Sequence, residues 1–216
     1  MSPEIVIPAG GLELPGILSP ADHAAGVVVF AHGSGSSRQS PRNTAVARHL
    51  NTSGFTTLLF DLLSAEEAAD RELVFDIALL TDRLLSATSW LEGRPDCKGL
   101  GLGLFGASTG AAAALGAAAA LEGRVRAVVS RGGRPDLAGP ALEQVMAPTL
   151  LIVGGLDRVV LQLNRAAQAR LAGESRVEVV PGATHLFEEP GTLELVTELA
   201  TSWFLRHVPQ PAILTP

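Results

Sequence analysis

Short, almost continuous apolar runs alternate with helical patterns along this chain, and no other feature restricts its fold as much. The runs read VVVFAH (27–32), TTLLFDLL (56–63), LGLFG (102–106), RAVVS (126–130), TLLIVGG (149–155) and RVEVV (176–180). A half-exposed strand would alternate apolar and polar residues. Runs that are apolar throughout fit strands of a parallel sheet buried on both faces. Between them, apolar residues spaced three and four apart predict helices over about 41–53, 68–92, 109–122, 140–146, 159–172 and 190–206. The opening EIVIPAGGLELPGIL predicts two antiparallel strands around a Gly-Gly turn at one edge of the sheet. This order predicts an α/β fold, a mostly parallel central sheet with helices on both faces. At 216 residues the chain fits one domain, 1–216, and no linker marks a second.

The repeated tetrapeptides LEGR (91–94, 121–124) and GRPD (93–96, 133–136) read as shared turn chemistry, because their flanks do not match. The alanine-rich run 111–120 reads as a helix whose small side chains let it lie close to the sheet. A net charge of −6 with no basic run argues against nucleic acid or an anionic membrane surface as partner. The single cysteine, Cys97, excludes an internal disulfide and suits a reducing compartment. MSPEIVIPAG has no basic segment followed by an apolar one, and no apolar stretch has membrane-spanning length. The expectation is therefore a cytoplasmic protein with no membrane partner.

Chemistry centres on Gly106-Ala107-Ser108-Thr109-Gly110. A Gly-x-Ser-x-Gly sequence between a strand and a helix can lift a serine hydroxyl out of the sheet on a sharp turn. The residues two before and two after must then be small. A bare strand–helix junction is the plain alternative.

A serine hydroxyl needs a base. Of five histidines, His49 and His207 fall in helix patterns, and His23 lies at the wrong end of its strand. His32 is expected to shape a loop. His185 follows the last strand, at the C-terminal sheet edge where Ser108 also emerges and where open parallel sheets gather their sites. The base needs an acid to hold its tautomer. Asp157, just past the strand TLLIVGG, is the candidate, with Asp136 after the preceding strand as rival and Asp61 upstream of the serine. A developing oxyanion needs aimed donors. Those expected are the backbone N–H of Thr109 and that of Ser34, in the loop HGSGSSRQSPRN (32–43). A phosphate-cradling reading of that loop fails, because the required Gly-Lys-Ser/Thr ending is absent.

Together HGSGSS, GASTG, GGLD and GATH resemble the α/β-hydrolases, and the short chain is similar to their dienelactone hydrolase-like branch. The resemblance spans about residues 4–206. It implies the α/β-hydrolase fold, with Ser108 as nucleophile, Asp157 as acid, His185 as base and the Ser34 and Thr109 amides as oxyanion hole. Dienelactone hydrolases proper carry a cysteine where this chain has Ser108. The implied activity is thus that of a serine esterase on small carboxylic esters, thioesters or lactones, without cofactor. A non-hydrolytic or ligand-binding use of the fold is the other class.

Arg131 and Arg134, with Arg38 and Arg42, could grip a substrate carboxylate; the plainer reading is pairing with Asp136 or solvated loop charge. Glu188 and Glu189 are expected to begin the last helix. Cys97 has no activating surroundings, and no His, Cys or carboxylate cluster has metal-ligand spacing. The short 131–148 and 181–190 segments leave no room for a cap domain. The serine is therefore expected to face a shallow groove lined by 32–42, 131–139 and 157–163, favouring short acyl chains.

Overall fold

The computed structural model describes residues 4–209. β1 (Glu4–Ala9) and β2 (Leu12–Ser19) form an antiparallel hairpin. It turns at Gly10 and Gly11, both at positive φ (58° and 82°), as a two-residue turn of this hand requires. Six strands then run parallel: β3 (Gly26–Ala31), β4 (Phe55–Phe60), β5 (Leu102–Ala107), β6 (Val125–Arg131), β7 (Thr149–Gly154) and β8 (Ser175–Val180). The hairpin joins this set antiparallel through β2 and β4. The eight-stranded order is β1-β2-β4-β3-β5-β6-β7-β8, so the first strand lies at one edge and the last at the other.

Apolar runs on both faces of the central strands need cover on both sides. α1 (Pro41–Thr52) and α6 (Thr192–His207) supply it on one face, α3 (Ile77–Glu92) and α4 (Thr109–Ala120) on the other. Along β3 the division is residue by residue: Val27 and Val29 join the α3/α4 cluster, Val28 and Phe30 the α1/α6 cluster. Each fully buried side chain of this kind contributes about 1.5–3 kcal/mol. The alanines of α4 bring it close to its neighbours. A β-carbon on Gly116 would lie 2.7 Å from Thr81 Oγ1 of α3. α5 (Arg158–Gln168) follows β7.

Two helical expectations change on folding. The pattern over 68–92 is not one helix: a 3₁₀ turn at Glu67–Ala69 and the single turn α2 (Arg71–Val74) precede α3. Asp70 and Asp76 impose the breaks, accepting the N–H groups of Glu72 and Leu79 as N-caps. The stretch expected as a helix over 140–146 is a 3₁₀ segment over Pro135–Gln144, interrupted at Gly139 (φ 54°) just before Pro140. No helix among the described residues is long and apolar enough to cross a membrane.

Candidate active site

Ser108 links β5 to α4 in a conformation that L-residues rarely adopt, φ 51° and ψ −121°. Neighbouring backbone fixes that strain. The Ser108 N–H donates to the Arg131 carbonyl, and its own carbonyl accepts from the N–H groups of Ala111 and Arg134. The turn explains both flanking glycines. A β-carbon on Gly106 would meet Ala111 Cα at 2.4 Å, and one on Gly110 would meet the Ala31 carbonyl oxygen at 2.2 Å. Backbone on both sides cannot give way, so only glycine lets the turn close. Gly33 approaches from the facing loop, its would-be β-carbon 2.8 Å from Ser108 Cβ.

Asp157 and His185 come from the loops after β7 and β8, 28 residues apart in sequence. His185 Nδ1 donates to Asp157 Oδ2 at 2.7 Å, which leaves Nε2 free to take a proton. Asp157 is itself the N-cap of α5, its Oδ1 lying 3.5 Å from the Val160 N–H. The two loops are tied by the Leu156 N–H on the Ala183 carbonyl. Phe187, with φ 56° and 2% exposed, anchors the histidine loop in the core. Thr184 closes the loop by donating to Glu189 through both its N–H and its hydroxyl. Glu188 and Glu189 therefore do not begin the last helix, which starts at Thr192. Glu188 pairs with Arg42, and the Thr184 bonds hold the Glu189 carboxyl below its ordinary range. The end of β6 passes beneath: a β-carbon on Gly132 would lie 3.6 Å from His185 Cε1. Ser108, whose N–H is bonded to the residue before Gly132, thus shares the sheet edge with the Asp157–His185 pair.

The rival acids are otherwise engaged. Arg134 forks onto Asp136 at 2.9 and 2.8 Å. Asp61 accepts both the backbone N–H and Nη1 of Arg38, each at 2.6 Å, and Arg38 also reaches Glu4. His32 is a structural tie. Its Nδ1 faces the Gly33 carbonyl and its Nε2 accepts the Leu62 N–H, both at 3.0 Å, joining the loops after β3 and β4. Burial pulls its pKa below the ordinary histidine value.

Arg134 thus makes the pairing with Asp136 that was its plainer expectation. Arg131 is buried beside α1, with Nη2 donating to Asn43 Oδ1, and burial brings its pKa down to about 10. Neither Arg131 nor Arg134 lines the large cavity at this edge.

That cavity was not expected; of the expected groove lining it takes only the 32–38 loop, and neither Ser108 nor His185 lines it. It holds about 510 Å³ and lies between the 32–38 loop and residues 61–80, with Thr109 on its wall. Leu62, Leu63, Ala65, Ala68, Val74 and Leu80 give it an apolar lining, and the 131–139 and 157–163 segments take no part. Sequence reading missed these residues because it ran Leu62 and Leu63 on from the strand 56–63 and assigned 68–92 to one helix. The spaced apolar residues of LLSAEEAADRELV were their only signal. The Ser34 N–H, expected to face the oxyanion, donates to Thr109 Oγ1 at 3.0 Å. Among the described residues no cluster of His, Cys, Asp or Glu is placed to hold a metal ion.

Known proteins resemble this chain to different depths. A dienelactone hydrolase from Anabaena variabilis is 50% identical, with a TM-score of 0.93 over 96% of this chain and 98% of that one. Est1E from Butyrivibrio proteoclasticus has a TM-score of 0.80 over 94% of this chain and 98% of its own, and at 16% identity it shares the fold alone. A Mycobacterium tuberculosis protein named "Putative phosphoribosyl transferase" is 59% identical over 208 residues, 96% of this chain. The match covers 47% of that relative, so this chain spans about half its length. The signature of the dienelactone hydrolase family matches residues 16–204. With an eight-stranded, mostly parallel sheet and no cap domain evident, the chain has the α/β-hydrolase fold and belongs to the dienelactone hydrolase family.

Proposed function

We propose that this protein is a serine hydrolase that cleaves small carboxylic esters, or related thioesters and lactones, through an acyl-enzyme. The observation that carries the reading is the 2.7 Å bond from His185 to Asp157 at the sheet edge where Ser108 is held at φ 51°. In the first step Ser108 Oγ attacks the substrate carbonyl carbon while His185 Nε2 takes the hydroxyl proton. Asp157 steadies the imidazolium. The tetrahedral oxyanion forms at the N-terminus of α4, where Thr109, as the first helical residue, has an N–H without an intrahelical acceptor. The Ser34 loop flanks the same position. Collapse breaks the acyl–oxygen bond, and the leaving alcohol takes the proton from His185. Water then attacks the acyl carbon with His185 as base, releasing acid and free Ser108.

The cavity of about 510 Å³ beside Thr109 suits an apolar acyl or aryl group of moderate length. The phosphoribosyl-transferase name of the mycobacterial relatives belongs to chains about twice this length. The loop beside Ser108 lacks the basic ending of a phosphate cradle. Treatment with a fluorophosphonate followed by mass spectrometry tests the reading. Label on Ser108, abolished by heat denaturation, is expected. An unlabelled serine with no turnover on any ester would favour a ligand-binding use of the fold.

A further inference from the structure

We infer that the Thr109 side chain is itself a catalytic donor: its hydroxyl hydrogen, held in place by the Ser34 amide, binds the substrate oxyanion. The inference rests on the serine-hydrolase reading and goes beyond it, since that reading assigns Thr109 only a backbone N–H.

The first observation is how the hydroxyl is engaged. Thr109 Oγ1 accepts the Ser34 N–H at 3.0 Å, across a sequence separation of 75 residues. An accepting hydroxyl still carries one hydrogen to give. Three helical threonines give that hydrogen to a backbone carbonyl: Thr52 to His49, Thr88 to Leu85 and Thr197 to Leu193. Thr109 has no such bond. The carbonyls three and four residues back, of Gly106 and Phe105, belong to β5 and its parallel ladder.

The second observation is location. Thr109 is 3% exposed yet lies on the wall of the cavity, beside Gly33 and Ser34 and directly after Ser108. Its backbone N–H and its hydroxyl therefore flank the same small region. The Ser34 N–H serves this region through the hydroxyl. By donating to Oγ1 it polarises the O–H bond and fixes the rotamer, so the donor needs no reorganisation when negative charge develops. A hydroxyl that is almost wholly buried is a stronger donor to an oxyanion than one in water.

The test compares Thr109→Val, which keeps the shape and removes the hydroxyl, with Thr109→Ser, which keeps the hydroxyl. Both are assayed in the full chain on p-nitrophenyl butyrate, with a boronic acid as transition-state mimic. Thr109→Val should lower kcat by about 10²–10³-fold, as loss of one oxyanion donor does, with KM nearly unchanged. Its affinity for the boronic acid should fall in step. Thr109→Ser should stay within several-fold of the wild type. An unchanged or higher kcat in Thr109→Val would overturn the inference, because the hydroxyl would then only fill the hole. A loss in both kcat and KM that serine does not rescue would overturn it too, leaving Thr109 a loop anchor. Failure of the underlying reading looks different: the wild type itself would neither turn over esters nor take fluorophosphonate on Ser108.

Discussion

Ser108 stands between two flanks built in different ways. On one side, Asp157 and His185 sit on short loops that leave parallel strands and are bound to each other and to the core. On the other, residues 61–76 wander through a 3₁₀ turn and a single helical turn and wall off the cavity. The first flank holds a few atoms in one geometry. The second holds a volume. On the proposed reading, chemistry tolerates no change on the first, whereas the second can be reshaped to choose substrates.

Ser108→Ala separates the flanks most sharply. It should reduce turnover by about 10⁶-fold while leaving the folded protein intact, since the hydroxyl supports no packing. Substantial esterase activity in that variant would break the distinction. Asp157→Asn comes next, with an expected fall in acylation rate of about 10⁴-fold, because the amide lets the imidazole take the wrong tautomer. Asp136→Asn, which loses only a half-exposed fork with Arg134, should stay within several-fold. The reverse order in steady-state rates would move the acid to the earlier loop.

The cavity flank predicts a chain-length series. Each buried acyl methylene is worth about 0.8 kcal/mol, roughly fourfold, so kcat/KM on p-nitrophenyl esters should climb from acetate until the cavity is full. Val74→Trp should lower hexanoate turnover by on the order of 10²-fold and leave acetate nearly unchanged. A flat series in the wild type would restore an open groove.

The smallest effect lies where the two flanks are tied. His32 accepts the Leu62 N–H at Nε2, so protonation there breaks the tie. Burial holds its folded pKa below the ordinary histidine value of 6.5, so the unfolded chain binds the proton more readily. The stability from this group is therefore complete above 6.5 and is lost as pH falls through the folded pKa. His32→Gln, which can keep an acceptor for Leu62, should flatten the pH dependence of urea midpoints between roughly 7.5 and 5. Equal slopes in both proteins would remove His32 from this role.

The same contrast shows what could be read early. The parallel strands were legible because burial on both faces writes itself as uninterrupted apolar runs. Val27 to Phe30 show it, sending alternate side chains to two clusters. Gly106 and Gly110 were legible because a sharp turn at Ser108 admits no β-carbon on either side. Asp157 and His185 were found from chain order and from the edge at which their strands end. These are local demands of backbone geometry, and sequence carries them directly.

The cavity was not legible, because Asp70 and Asp76 break an apparent helix by capping the turns that follow. Their side chains could equally have sat in solvent along one longer helix. Nor was the fate of Arg131. Arg134 meets Asp136, a partner two residues on that the sequence could offer, while Arg131 turns under the sheet edge to Asn43 of α1, 88 residues away. The Ser34–Thr109 contact likewise spans 75 residues. Sequence by itself determined the layered fold and the three residues offered as the triad, since strand period, turn sterics and chain order are local. Tertiary structure alone decided where the cavity lies and what each polar group touches, because those depend on which distant backbone arrives beside them.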